Sequence, residues 1–355
     1  MQNPKVSVLM SVYNGESHLG EAVESILNQT FTDFEFIIVD DGSTDSTWSI
    51  LSDYAAQDKR IVLLQNKNNI GLAKSLNKGL AMVRGEYIAR QDADDVSLSV
   101  RFANQVEYLD KNHEVGVLGT EVEVLDDCGL PMLDFNPPIL PTTPGIVRWT
   151  LFFRCCLHHP TVMVRRRVYN NLGGYSPDCP HAEDYELWLR LAAARIKICN
   201  LQQPLVKLRK HSGSVTNVHE KIHRRNADNA VRASLAANLG KDVSLDIVRI
   251  MRNQSLINSV DDAFSTAELV KELYDFTVKL QDMSLVEIQE IRKDVTRILL
   301  NIGIVSARKR PAIFVQMLKL SFFYEAKHTL RLLLGKSLNE VRNFIYRQKS
   351  MTISG

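Results

Sequence analysis

The chain has 355 residues, 45% of them hydrophobic, and its 43 Lys and Arg balance 41 Asp and Glu to a net charge of +2. That is enough apolar material for one large packed domain with an extension, and the charge makes no case for nucleic acid as a partner. Cys128, Cys155, Cys156, Cys179 and Cys199 contain no Cys-x-x-Cys pair and read as reduced packing residues, and the absence of a long apolar run or an apolar leader after Met1-Gln2-Asn3-Pro4-Lys5 predicts a cytoplasmic protein, soluble or peripheral on the inner face of the membrane.

Lys5 to Asn14 reads as a buried strand running into a polar loop. Leu19, Ala22, Val23, Ile26 and Leu27 then repeat with the spacing of one apolar helix face. Phe34 to Val39 is a second strand ending in the acidic pair Asp40-Asp41, with cap candidates from Ser43 to Ser46 and a helix carrying Trp48, Leu51 and Tyr54 behind it. Ile61 to Leu64 is a third strand, Ala73, Leu76, Leu80 and Val83 mark a third helix, and Tyr87 to Gln91 leads into Asp92-Ala93-Asp94-Asp95. A helix from about Val100 to Lys111 and an extended pair around Val115 to Leu125 follow. Residues 126 to 145 are rich in proline and lack a period, as a loop able to cover a site would. Beyond them come Thr161 to Val164, Gly173-Gly174-Tyr175, a helix from about Ala182 to Ala194, and an extended piece from Leu205 to His211.

The alternation of strand and helix up to residue 125 predicts an α/β fold with a mainly parallel sheet covered on both faces. From about residue 217 the pattern is helical, and towards the C-terminus Arg and Lys interleave with Phe and Leu. Such a segment suits an anionic lipid surface or a helical bundle with a basic outer face.

Three carboxylates within four residues repel one another, and a solvated turn is the ordinary reading of such a cluster. Here, however, acidic and polar residues collect at the carboxyl ends of successive strands, the edge where open α/β sheets bind ligands. Two carboxylates spaced Asp-x-Asp can meet one hard divalent ion, Mg²⁺ or Mn²⁺, and leave positions for the oxygens of a diphosphate. No Gly-x-Gly-x-x-Gly follows the first strand, which disfavours a dinucleotide oxidoreductase. Asp92-Ala93-Asp94-Asp95-Val96 also fits the nucleophile loop of haloacid-dehalogenase-like phosphotransferases, although Arg90 and Gln91 interrupt the apolar strand that such a loop follows. A non-catalytic sugar-nucleotide-binding scaffold is a further alternative.

Five segments, taken in order, resemble glycosyltransferase family 2: Ser11-Val12-Tyr13-Asn14-Gly15, Val39 to Asp45, Asn68 to Ala73, Gly85 to Asp95, and Glu183 to Arg190. The resemblance spans roughly residues 5 to 215 and departs at Ser11, where many members carry proline. Its form is similar to bacterial transferases of capsule, exopolysaccharide and O-antigen assembly. The resemblance implies a Rossmann-like GT-A catalytic domain over residues 1–216, with a nucleotide-binding half to about 125 and an acceptor half from 126, followed by a helical, basic region over 217–355.

It further implies an inverting, metal-dependent transfer of a sugar from a nucleotide diphosphate to a hydroxyl of a glycan, lipid-linked or free. Asp40 and Asp41 would sit at the base and ribose, with Asn14 and Asn68 beside the nucleotide. Asp92 would hold the ribose or an outer position, Asp94 would ligate Mg²⁺ or Mn²⁺ and Asp95 would support it, the roles within this trio staying open by one residue. His211 matches a place where related enzymes turn a histidine toward the metal or diphosphate. Asp184 would be the general base and Glu183 would position the acceptor, at a helix amino end whose dipole favours the anion and where simple N-capping is the competing reading. His158 and His159 are weaker candidates for the acceptor pocket, and Arg90 can pair with the acidic trio.

Overall fold

The computed structural model describes residues 3–132, 138–210, 219–280, 283–307 and 310–335. Its contacts divide the chain into two compact units, Met1–Ala237 and Asn238–Gly355.

The first unit is built on one eight-stranded sheet in the order β3-β2-β1-β4-β7-β6-β8-β5. The strands are β1 (Val6–Val12), β2 (Phe34–Asp40), β3 (Ile61–Gln65), β4 (Tyr87–Gln91), β5 (Val96–Ser97), β6 (Val115–Leu125), β7 (Met163–Arg165) and β8 (Lys197–Arg209). The strands β3, β2, β1 and β4 are mutually parallel, because α1 (Leu19–Leu27), α2 (Thr47–Gln57) and α3 (Leu72–Leu80) carry the chain back between them. β7 pairs antiparallel with both β4 and β6, so the sheet is mixed. β1 and β2 are buried along their whole length, as near-continuous apolar runs require when both faces are covered. Val8, Met10, Phe36, Ile38, Leu19, Val23 and Ile26 form the core between sheet and helices.

The chain winds from β1 outward to β3 and then returns to place β4 on the other side of β1, so β1 and β4 flank a topological switch point. The register sets Met10 against Gln91 and Val12 against Asp40. Their carboxyl ends therefore open on one edge.

The extended pair read at Val115 to Leu125 is a single strand, β6, whose long partner β8 begins eight residues before the Leu205 expected for it. Asn200, Gln202, Gln203 and Pro204 break the apolar alternation of β8, so its first half has no strand signature. Two short helices, α5 (Pro144–Leu151) and α6 (Arg166–Leu172), also escaped sequence reading, being too short to show a period. The other helices are α4 (Arg101–Lys111), α7 (Glu183–Ala193) and α8 (Glu220–Leu239), the last running just past the end of the unit. The start of α8 is pinned to the turn before α7: the ring of His219 stacks on His181 at 4.1 Å, and Asn226 Nδ2 donates to Pro180 O at 2.8 Å.

The second unit is helical: α9 (Leu245–Arg252), α10 (Val260–Val278), α11 (Leu285–Ala307) and α12 (Pro311–Gly335), the last interrupted by non-helical backbone at Glu325. A capping box starts α10, with Ser259 Oγ accepting from Asp262 N and Asp262 Oδ2 accepting from Ser259 N. Gly303 lets α11 and α12 approach closely, since a Cβ there would stand 3.0 Å from that of Met317.

Candidate active site

The candidate residues fall in three places: the loops after β1, β2 and β3, the acidic loop after β4, and the amino end of α7. The first makes a cleft of about 390 Å³, lined among others by Tyr13, Ser43, Thr44, Gln65, Asn66 and Asn68. Asp40 is buried at the end of β2, its carboxylate accepting from Ser43 N at 3.1 Å and Gln65 Nε2 at 3.1 Å. Asp41 turns into the loop after β3, where it accepts from Asn66 Nδ2, Ile70 N and Gly71 N at 2.8–2.9 Å. Three donors on one carboxylate make Asp41 the clamp that shapes the cleft wall. Asn14 adopts the left-handed conformation at φ 50°, which Asn tolerates, and its Oδ1 accepts from Thr44 N at 2.8 Å. Asn68 is exposed on the cleft lining. Tyr13, 48% exposed, offers the cleft an aromatic face that motif reading passed over.

Gly42 joins these walls. At φ +75° it sits in the region that favours glycine, and a Cβ there would stand 2.6–2.9 Å from the backbone of Asn68 and Asn69. Gly42→Ala is expected to destabilise the protein by about 2 kcal/mol and to push the Asn68 loop out of place. The checks are chemical denaturation and nucleotide titration, and unchanged values in both would show that the wall yields freely.

The acidic loop is held by a buried polar frame. Gln91 Nε2 donates to Asp92 O and Asp95 O at 3.0 and 2.8 Å, while its Oε1 accepts from Ser97 Oγ and Arg101 Nη1. Arg101, fully buried, also donates to Arg90 O at 2.8 Å, and burial together with the charge of Arg90 pushes it down to about 9. From the far end of the sheet, Arg209 closes β8 onto the loop: its N–H donates to Asp95 Oδ1 at 2.8 Å, its Nε to Asp94 O at 3.1 Å, and its guanidinium pairs with Glu21. Neither Arg209 nor Glu21 carries a sequence signal for this. They are joined only because β8 ends where the loop turns.

Within the trio the three carboxylates are differently engaged. Asp95 is buried and tied to β8; burial and the charges of Asp92 and Asp94 push it well above the ordinary aspartate range. Asp92 Oδ1 accepts from Arg90 Nη2 at 2.6 Å, and its pKa is still raised, chiefly by burial, against the pull of Arg90. Asp94 is half-buried with its backbone held by Arg209. Oxygen donors of this kind, crowded enough to resist ionising together, fit a hard divalent cation completed by diphosphate or water oxygens. Asp92 and Asp94 are the residues that could hold it. Among the described residues no group of three metal-ligating side chains stands ready on its own, and His211 lies outside the described residues.

Glu183 and Asp184 open α7, with Leu187, Trp188 and Leu191 buried beneath them. Asp184 Oδ1 accepts from Tyr185 N at 2.7 Å, so the helix end does favour the anion, but burial outweighs it and the charge of Asp92 adds to the rise, with His223 of α8 drawing the other way. The expectation of a dipole-stabilised anion is thus corrected: desolvation dominates. The charge of Asp92 thus bears on the carboxylate at the helix end. Behind them, His159 Nε2 and Tyr175 Oη share a hydrogen bond at 2.9 Å, Tyr175 Oη meets Tyr169 Oη at 3.2 Å, and burial keeps His159 neutral. His158 is likewise pushed down to about 4 by burial, and its Nε2 has no hydrogen-bond partner among the described residues.

Glu183, 6% exposed, is pushed up to about 7 by burial and by the charge of Asp184. Because its folded pKa lies above its unfolded value of 4.5, the folded state gains protons relative to the unfolded one between those values. The stability this contributes is full below about pH 4.5 and is lost as pH rises through about 7, a decline of roughly 3 kcal/mol at most. Glu183→Gln is expected to flatten that slope in denaturation measured between pH 5 and 8; an unchanged slope would assign it to other groups.

A profile of the family described as glycosyl transferase family 2 matches residues 7–173. The protein EpsE of Bacillus subtilis (strain 168), which bears a glycosyltransferase name, is 42% identical over 214 residues, or 59% of this chain and 74% of its own. The Escherichia coli UDP-Glc:alpha-D-GlcNAc-diphosphoundecaprenol beta-1,3-glucosyltransferase WfaP is 30% identical, over 59% of this chain and 79% of its own. Among solved structures, S. aureus TarS 1-349 in complex with UDP-GlcNAc superposes with a TM-score of 0.53 at 18% identity, covering 93% of this chain and 92% of that one. The mannosyltransferase PcManGT from Pyrobaculum calidifontis, in complex with GDP-Man and Mn²⁺, gives 0.50 at 17% identity over 95% and 89%. The family match ends at residue 173, ahead of Glu183 and Asp184.

Proposed function

This chain belongs to glycosyl transferase family 2, and from that premise we propose that it is an inverting, divalent-metal-dependent transferase that moves a sugar from a nucleotide diphosphate to a hydroxyl of a lipid-linked glycan in bacterial surface-polysaccharide assembly. What supports this reading is a cleft and an acidic loop at the carboxyl ends of neighbouring parallel strands, together with a buried carboxylate at the amino end of α7 whose pKa the charge of Asp92 raises.

In this reading Tyr13 and Asn68 receive the base and ribose, Asp40 and Asp41 hold the cleft in shape, and Asn14 locks the loop that carries Ser43 and Thr44. Asp92 and Asp94 would hold Mg²⁺ or Mn²⁺, which when bound would offset charge on the departing diphosphate. The acceptor hydroxyl gives its proton to the Asp184 carboxylate as its oxygen bonds to the anomeric carbon. The bond from that carbon to the diphosphate oxygen breaks on the opposite side, the bonding pair leaves with the nucleoside diphosphate, and the configuration inverts. The raised pKa of Asp184 suits this task, because a base works best with a pKa drawn toward the working pH. Glu183, His158 and the His159–Tyr175 pair shape the acceptor side.

A lipid-linked acceptor sets the reaction at the cytoplasmic face of a membrane; among the described residues no helix is long and apolar enough to cross one. The test of the whole reading is a thermal-shift panel of UDP-, GDP-, dTDP- and CMP-sugars, each with and without Mn²⁺. Stabilisation by one nucleotide class that vanishes without metal is the expected result. Equal shifts with and without Mn²⁺ would remove the metal from donor binding.

A further inference from the structure

A bundle helix needs one apolar face, and α12 has two. Ile313, Met317, Ser321 and Tyr324 are buried at 0–8% exposure and pack the helix into its unit. On the other side Val315 and Phe323 stand 50% and 82% exposed, two turns apart on one helical stripe with the exposed Lys319 between them. Beyond the break at Glu325, Lys327 and Leu330 are exposed as well. The only carboxylate between residues 311 and 335 is Glu325, which is half-buried at the break in the helix and absent from the exposed positions. A solvent-facing helix side that alternates large apolar groups with lysine and lacks acid is costly in water and complementary to an anionic, partly apolar surface.

We propose that this face of α12 docks the protein on anionic phospholipid: Val315, Phe323 and Leu330 enter the headgroup boundary while the Lys319 and Lys327 ammonium groups rise to the phosphates. The inference deepens the reading of a lipid-linked acceptor and rests on it for its purpose, but its test uses no donor, acceptor or metal.

The experiment is co-sedimentation of the full chain with phosphatidylcholine vesicles, pure or with about 30% phosphatidylglycerol, alongside Phe323→Glu and the double variant Lys319→Glu/Lys327→Glu. The wild type is expected to bind the anionic vesicles at least about tenfold more tightly than the neutral ones, and each variant to lose about tenfold of that affinity, with melting temperatures unchanged because the altered side chains are exposed. Wild-type binding that both variants retain would place lipid contact elsewhere and overturn the proposal, as would no binding at all. Light scattering supplies a further overturning result: a wild-type dimer that Phe323→Glu converts to monomer, without vesicle affinity, would assign the face to a second copy of the chain. Vesicle binding that survives a negative donor panel would sink the transferase reading alone.

Discussion

Asp184→Asn is expected to lower the rate of sugar transfer by about 10³-fold, near 4 kcal/mol of barrier, while leaving donor affinity within about twofold of wild type. The substitution keeps the shape of the side chain, so the acceptance from Tyr185 N can persist through the amide oxygen and α7 stays in place. What disappears is the carboxylate to which this reading assigns the acceptor proton; Glu183, pushed up to about 7, is only about half ionised near pH 7. The same assignment predicts an acid limb in the pH profile of kcat/KM lying above the ordinary aspartate range, because burial raises Asp184. Single-turnover kinetics with a matched donor-binding titration separates the two quantities. Transfer near the wild-type rate in the variant would take the base role from Asp184.

Asp94→Ala is expected to weaken Mn²⁺-dependent binding of the nucleoside diphosphate at least about tenfold and to leave metal-free binding unchanged, since the proposed reading puts the base and ribose contacts in the separate cleft. Asp95→Asn makes the informative partner. The amide oxygen of asparagine can still accept from Arg209 N and hold β8, so stability is expected to stay near wild type while any metal ligation by the Asp95 carboxylate is lost. If Asp95→Asn removed the metal dependence and Asp94→Ala did not, the assignments within the trio would shift by one residue, an alternative the motif leaves open. Isothermal titration with UDP in the presence and absence of Mn²⁺ distinguishes the cases.

The strands β1, β2 and β4 and helices α1 to α4 were readable because each is long enough to show its period and is bounded by polar loops. The acidic residues were readable for the same reason, since a strand end brings its loop to a known edge of the sheet. What stayed hidden depends on chain partners far apart in sequence. Asp41, expected at the nucleotide, spends its carboxylate on the loop 66–71 about thirty residues away. Asn14 is likewise engaged by Thr44. Neither engagement leaves a trace in a motif.

The amino-acid sequence by itself determined the α/β class, the family and the gathering of acidic residues at strand ends, because these follow from local period and from residue types at strand ends. Tertiary structure alone decided which carboxylates are desolvated and which are anchors. Desolvation and long-range pairing set that difference: Arg209 reaches Asp95 across 114 residues, Asp92 acts on Asp184, and His223 of α8 bears on the same carboxylate from beyond the family match. Such couplings arise only when separate segments exclude water from one another.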